Sequence, residues 1–303
     1  MKSEPVPVAI LCSDLHLSSL KPSCRAEDDW FAVQREYLRQ LKVAAEWHTE
    51  LDIICAGDIF DRWNPTPETI NFALRELPER RMYCVPGQHD LPNHRLDQVH
   101  RSGYGTLVEA GQINDISGKS VKLRRHNLTL HGFAWGQEIK PRTRTDGIHL
   151  AVIHKYCWVD GKSYPGAPAE NTPKGFTKLL KGYDAAVFGD NHKGFMAKAY
   201  KCNVINTGGF IRRKSDEINY HPMIGILYSD GTIATCPLDV SRDRFTPIAE
   251  RQEEVPVDMR SFIAELESLG EHGVNFKEAV ETHLRGDDIE KPVKEIILQA
   301  LES

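Results

Sequence analysis

The sequence lacks any Cys-x-x-Cys pair: Cys12, Cys24, Cys55, Cys84, Cys157, Cys202 and Cys236 stand singly. An odd count without framework spacing excludes a disulfide scaffold and points to a reducing compartment. Cys12, Cys55 and Cys84 each end an apolar run and read as small core residues. No run of about 18 apolar residues is present, so no membrane span is expected. Met1 to Pro7 has no apolar h-region and is not a signal peptide, which makes the cytoplasm the expected location. Positive charge is also short. With 38 Lys and Arg against 43 Asp and Glu, the net charge of −5 argues against tight unassisted binding to nucleic acid. Divalent cations can reverse that sign locally, so a nucleic-acid substrate is not excluded.

What the chain does have, in the first half of its 303 residues, is a repeat of buried strand, polar loop and amphipathic helix. Val6 to Cys12, Leu51 to Ala56 and Met82 to Val85 read as buried strands. Asp28 to His48 has helical apolar spacing, and a second helix opens with Thr66 as N-cap and Pro67 at N1. Such repeats imply parallel strands with right-handed crossovers. The second half is richer in strands: a hairpin of Val121–Arg124 and Leu128–Phe133, then Ile148–His154, Ala185–Gly189, Ala199–Ile205, Met223–Tyr228 and Thr232–Cys236. A helix capped by Thr172 is expected to run to Gly182. Two packed sheets with helices outside are the expected architecture. The domain is expected over residues 1–245, followed by a charged linker at 246–257 and a helical segment at 258–303. That segment suits packing on its own domain or docking of a partner equally well.

Five polar motifs each follow a buried strand: Asp14-x-His16, Gly57-Asp58-Ile59-Phe60-Asp61-Arg62, Gly87-Gln88-His89-Asp90, His154, and Gly189-Asp190-Asn191-His192. Carboxyl ends of parallel strands share one edge, where ligands bind. Alternation along Asp14-Leu15-His16 is expected to aim both polar side chains one way and Leu15 into the core. Any single motif is weak, and a lone histidine at a strand end is more often structural. Together they bring several aspartates and histidines to one buried place, which would be very costly without metal ions.

The set resembles the calcineurin-like metallophosphoesterase superfamily over roughly residues 6–240, through the order Asp-x-His, Gly-Asp-x-x-Asp-Arg, Gly-Asn-His-Asp/Glu, His, Gly-His-x-His. The resemblance implies a two-sheet α/β/β/α metallophosphoesterase sandwich, here with a short helical C-terminal tail. It implies that Asp14, His16, Asp58 and His192 hold one divalent ion, and that Asp58, Gln88, His154 and Asp190 hold a second. His89 would be the catalytic acid with Asp90 orienting its ring, and Asp61 and Arg62 would support the site from behind. Two cations bridged by a carboxylate suit in-line displacement at phosphorus, and histidine is the natural proton donor to the leaving oxygen.

Two positions depart from the family pattern. Gln88 replaces asparagine and Asp190 replaces histidine, which hardens the second site toward Mn²⁺, with Mg²⁺ or Fe²⁺ as alternatives to it. Within the superfamily, Val85 to Pro92, the Asn206-Thr207-Gly208-Gly209 turn and the tail look most like SbcD-type nucleases, especially compact phage recombination exonucleases. That likeness implies a DNA substrate and an SbcC-like coiled-coil ATPase partner docked through the C-terminal helices, with a homodimer as a further option. A small-nucleotide or phosphomonoester phosphatase stays open, as does a catalytically impaired binding subunit. The basic groups at Lys122-Arg125, Lys140-Arg144 and Arg212-Arg213-Lys214 read singly as solvated loop charge. Tyr156, Trp158 and Tyr164 suit base stacking or loop packing equally.

Overall fold

Among the described residues, twelve strands make two six-stranded sheets. The computed structural model describes residues 4–47, 51–78, 81–164 and 167–247; apart from Thr246 and Pro247, the expected linker and helical tail lie outside them. In the first sheet β1 (Pro7–Cys12), β2 (Asp52–Cys55), β3 (Met82–Cys84) and β4 (Asn114–Asp115) run parallel, as the strand–helix–strand pattern requires. In the second, β5 (Ser120–Leu123) pairs antiparallel with β6 (Leu128–Phe133), which continues in parallel to β7 (Ile148–His154) and β8 (Ala185–Gly189). Beyond β8 lie β10 (Cys202–Asn206) and then β9 (Phe195–Ala199). β11 (Met223–Tyr228) joins β1 antiparallel, and β12 (Ile233–Pro237) closes that edge.

Period-two burial sorts the strand residues into three cores. Leu11, Ile54, Leu150, Val152, Ala185 and Val187 meet between the sheets. Their neighbours Ile10, Cys12, Ile53, Cys55 and Cys84 face the layer of α1 (Trp30–Trp47), α2 (Pro67–Glu76) and α3 (Gly103–Glu109). Thr66 caps α2 by accepting from the Thr69 N–H. Cys12, Cys55 and Cys84 are register partners across three strands and fully buried, so they are core residues. On the far side Ala151, Ile153, Ala186 and Phe188 are covered by Ile139, Phe176, Leu180 and Tyr183.

The sandwich is as expected, but its fourth layer is irregular. The helix expected from Thr172 to Gly182 reduces to a 3₁₀ turn at Gly175–Thr177. Thr172 does accept the Gly175 N–H, and helical bonds run from Phe176 to Thr172 and from Leu180 to Phe176, but they remain separate turns rather than one continuous ladder. The single strand expected at Ala199–Ile205 is instead the second half of a hairpin, turned at Tyr200-Lys201 with Tyr200 at φ 57°.

Candidate metal centre

All five motifs arrive together at the carboxyl ends of β1, β2, β3, β7 and β8. β1 ends at Cys12, and beyond it the chain is not extended: Asp14 and His16 both have left-handed backbones (φ 52° and 46°), as do Asp58 (54°) and Asp190 (79°). Leu15 is in the core as expected, yet kinked backbone rather than strand alternation puts it there. Non-glycine residues in this region cost about 1–3 kcal/mol each and persist where surrounding bonds over-determine them. Here Asp14 donates its N–H to the Gly57 carbonyl at 2.9 Å and His16 to the Asp58 carbonyl at 3.0 Å. Glycine is needed for close approach: a Cβ on Gly57 would overlap the His154 ring, and one on Gly87 would overlap the Asp58 carboxylate.

Asp14, His16 and His192 each bring one donor atom within 4.8 Å of the others, as do Asp14, Asp58 and His154. Asp14 is common to both groupings, a third brings His89 to His16 and Asp58, and Asp58 Oδ2 lies 3.8 Å from His16 Nε2 as well as within reach of His154, so it too spans the cluster. His16 Nε2 and His192 Nε2 face each other at 3.0 Å. His154 uses Nδ1 on the Ala56 carbonyl, at 2.5 Å, which leaves Nε2 aimed at Asp58 Oδ2, 3.4 Å away. The Gln88 amide spans the altered lobe, its oxygen 2.6 Å from His154 Nε2 and its nitrogen donating to Asp190 Oδ1 at 2.7 Å. The two residues that depart from the family pattern therefore meet each other.

Burial dominates the electrostatics. It drives His16 well below the ordinary histidine range and His192 down to about 4, the latter helped by Lys214, so both rings are neutral with a lone pair to give. It also pushes Asp14 up. Asp58 runs against its own burial and is lowered by His154, His16 and His89. Burial would lower His154 too, but Asp58, Asp14 and Asp190 outweigh it and push the ring up to about 10. Asp14 Oδ2, Asp58 Oδ2 and His16 Nδ1 are buried without a hydrogen-bond partner. Such orphans cost about 1–3 kcal/mol each. Carboxylate oxygens and neutral imidazoles aimed at one space are the donor set divalent cations take, so the residues fit a metal centre.

Three assignments change. Asp90 does not touch the His89 ring: its carboxylate is fully buried and accepts the N–H groups of Ile59, Phe60 and Gly87. Asp90 therefore shapes the loop, and His89 Nδ1 pairs with the Asp61 carbonyl at 2.8 Å instead. Arg62, expected to support the site, is exposed and has no side-chain partner among the described residues. Its place is taken by Arg213, which bonds Asp61 Oδ1 through Nη1 at 2.7 Å. Sequence reasoning passed over Arg213 as loop charge. The available signal was position, because it follows β10 as the other motifs follow their strands. Arg212 is structural, buried with Asp243. Tyr156 and Trp158 pin their own loop, bonding the Tyr164 N–H and the Pro168 carbonyl. The ring of Tyr164 lies between Lys193 Nζ at 4.2 Å and Lys214 Nζ at 5.7 Å.

No curated protein sequence matches the chain. Among solved structures it is similar to TT1561 of Thermus thermophilus (10% identity, TM-score 0.46, 77% of this chain and 99% of that one). It is also similar to the calcineurin-like phosphoesterase YfkN of Bacillus subtilis (12%, 0.41, 80% and 90%) and to an archaeal phosphodiesterase (12%, 0.38, 76% and 99%). At such low identity and TM-score these likenesses carry no argument about function. The model of the calcineurin-like phosphoesterase family, however, matches residues 8–194, from β1 past His192 and so through all five motifs. The chain belongs to the calcineurin-like phosphoesterase family, hydrolases of phosphoester bonds at divalent metal ions.

Proposed function

We propose that the chain is a two-metal phosphodiesterase that cuts DNA. The observation that carries this is a cluster in which Asp58 Oδ2 reaches both His16 and His154, with Asp14 Oδ2 and Asp58 Oδ2 buried and orphaned. Asp14, His16, Asp58 and His192 would hold one ion, and Asp58, Gln88, His154 and Asp190 the other. Mn²⁺ suits the carboxylate and amide of the second lobe. When bound, such ions neutralise the phosphoryl oxygens and make the attacking water more acidic. The protein's own groups do the rest. As the P–O bond to the leaving group breaks, His89 gives its Nε2 proton to the departing oxygen. The Asp61 carbonyl accepts from Nδ1 and so leaves Nε2 as the atom that hands over the proton.

A DNA substrate is supported by the rim, where Tyr164 and its flanking lysines pair an aromatic face with positive charge. The ATPase partner docked through residues 258–303 belongs to the same proposal. The test is hydrolysis of single- and double-stranded DNA and of bis-p-nitrophenyl phosphate with Mn²⁺, comparing wild type with His89→Ala. We expect the variant to lose about 10²–10⁴-fold in kcat while binding as much manganese. An equally active variant would remove His89 from the mechanism. One manganese per chain at saturation would remove the second ion.

A further inference from the structure

Next to the Asp/His cluster lies a cavity of about 370 Å³ whose inner wall is His16, His89 and His192. It is far roomier than one phosphoryl group requires. Its walls also include Leu20 and Pro22, and Leu20 is 57% exposed, so its apolar side chain is open to a ligand. Apart from Gly209 and Ile211 the remaining lining is charged, and Lys21, Arg213 and Lys214 outnumber Asp61 and Glu217. Glu217 Oε2 accepts the backbone N–H groups of Arg213 and Lys214 at 2.6 and 3.0 Å, which fixes the carboxylate in place without cancelling its charge. Arg213 spends Nη1 on Asp61, but its Nε is buried without a partner. Lys21 donates to the neutral Glu27 carbonyl at 2.8 Å, so its charge is uncompensated there.

We propose that this cavity is the leaving-group subsite and that it takes a nucleotide of a DNA strand. The inference rests on the DNA-hydrolase proposal above and deepens it. The side is set by His89: the group that protonates the leaving oxygen forms part of this wall, so what leaves must lie in this space. Leu20 and Pro22 give an apolar face for sugar and base. Arg213 and Lys214 give the positive charge for the next phosphate along the strand. Substrates with a nucleotide on the leaving side gain these contacts, and small diesters do not.

The test compares kcat/KM for oligothymidylate and for bis-p-nitrophenyl phosphate in wild type, Lys214→Glu and Leu20→Glu. Both side chains are exposed, so neither change should unfold the protein. We expect each variant to lose at least tenfold more on oligothymidylate than on the small diester. The loss should fall in KM, with a shallower salt dependence for Lys214→Glu. Parallel losses on the two substrates, or no loss, overturn the subsite while leaving the DNA proposal standing. A wild type that cuts only the small diester overturns both but leaves the phosphoesterase intact. A wild type that cuts neither overturns all three.

Discussion

Asp190 stands where the family pattern has an imidazole, and its carboxylate is turned to the Gln88 amide at 2.7 Å. The two changes compensate geometrically: the longer glutamine reaches both His154 and Asp190, and the shorter aspartate leaves it room. Oxygen has replaced nitrogen in that lobe, and oxygen donors favour harder ions. We therefore expect Asp190→His to shift the preference from Mn²⁺ toward Zn²⁺. Activity and bound metal measured across a Mn²⁺, Mg²⁺ and Zn²⁺ series would check this. An unchanged ranking would mean that the departure does not tune the site. The convergence of the motifs was legible in the sequence because each follows an apolar run. The reach of Arg213 across to Asp61 was not, because it joins residues 152 positions apart and only tertiary structure brings them together.

Elements differed in legibility for physical reasons. β7 and β8 keep their expected bounds, since strands buried on both faces read as near-continuous apolar runs, interrupted in β7 by His149 before it ends at His154. The Tyr200-Lys201 turn left no such mark, because a tyrosine takes the left-handed conformation that glycine or asparagine would have advertised. β6 and β7 carry a further device. Ser120 Oγ meets His131 Nδ1 at 2.8 Å, and His131 Nε2 meets His149 Nδ1 at 3.2 Å. Burial, with Arg142 and His149 adding to it, pushes His131 down to about 4. An unfolded chain protonates histidine near 6.5, so between about 6.5 and 4 the unfolded state binds more protons. Stability is therefore present above that window and is lost as pH falls through it. The loss of Tm from pH 6.5 to 4 should be smaller in His131→Gln, which keeps a polar partner but cannot titrate. Parallel Tm curves for the two proteins would show that this pair is not a source of acid sensitivity.

At the scale of the whole molecule, one buried arginine joins the start of the domain to its end. Arg25, 1% exposed, bonds Glu27 and Asp243, and its guanidinium lies 4.9 Å from the Phe245 ring. Asp243 also accepts from Tyr37 and Arg212, so residues far apart in sequence close on one carboxylate. The sandwich itself was legible from strand order and motif spacing. This closure was not, because a lone Arg25 in a loop looks like any solvated charge.

The Asp/His cluster also has a mechanical consequence. Asp14 and Asp58 hang from the first sheet, while His154, Asp190 and His192 hang from the second. Any ion gripped by both groups works as a rivet through the seam between the sheets, set at one end of their shared core. Stripping it should remove that cross-link, leaving the Asp58–His154 pair as a remaining tie, and let the sheets breathe apart from that end. We expect chelation to speed amide hydrogen exchange most at the carboxyl ends of β2 and β7, fading toward their starts, and to lower Tm. Exchange that rises uniformly along both strands would mean that the seam holds without its rivet.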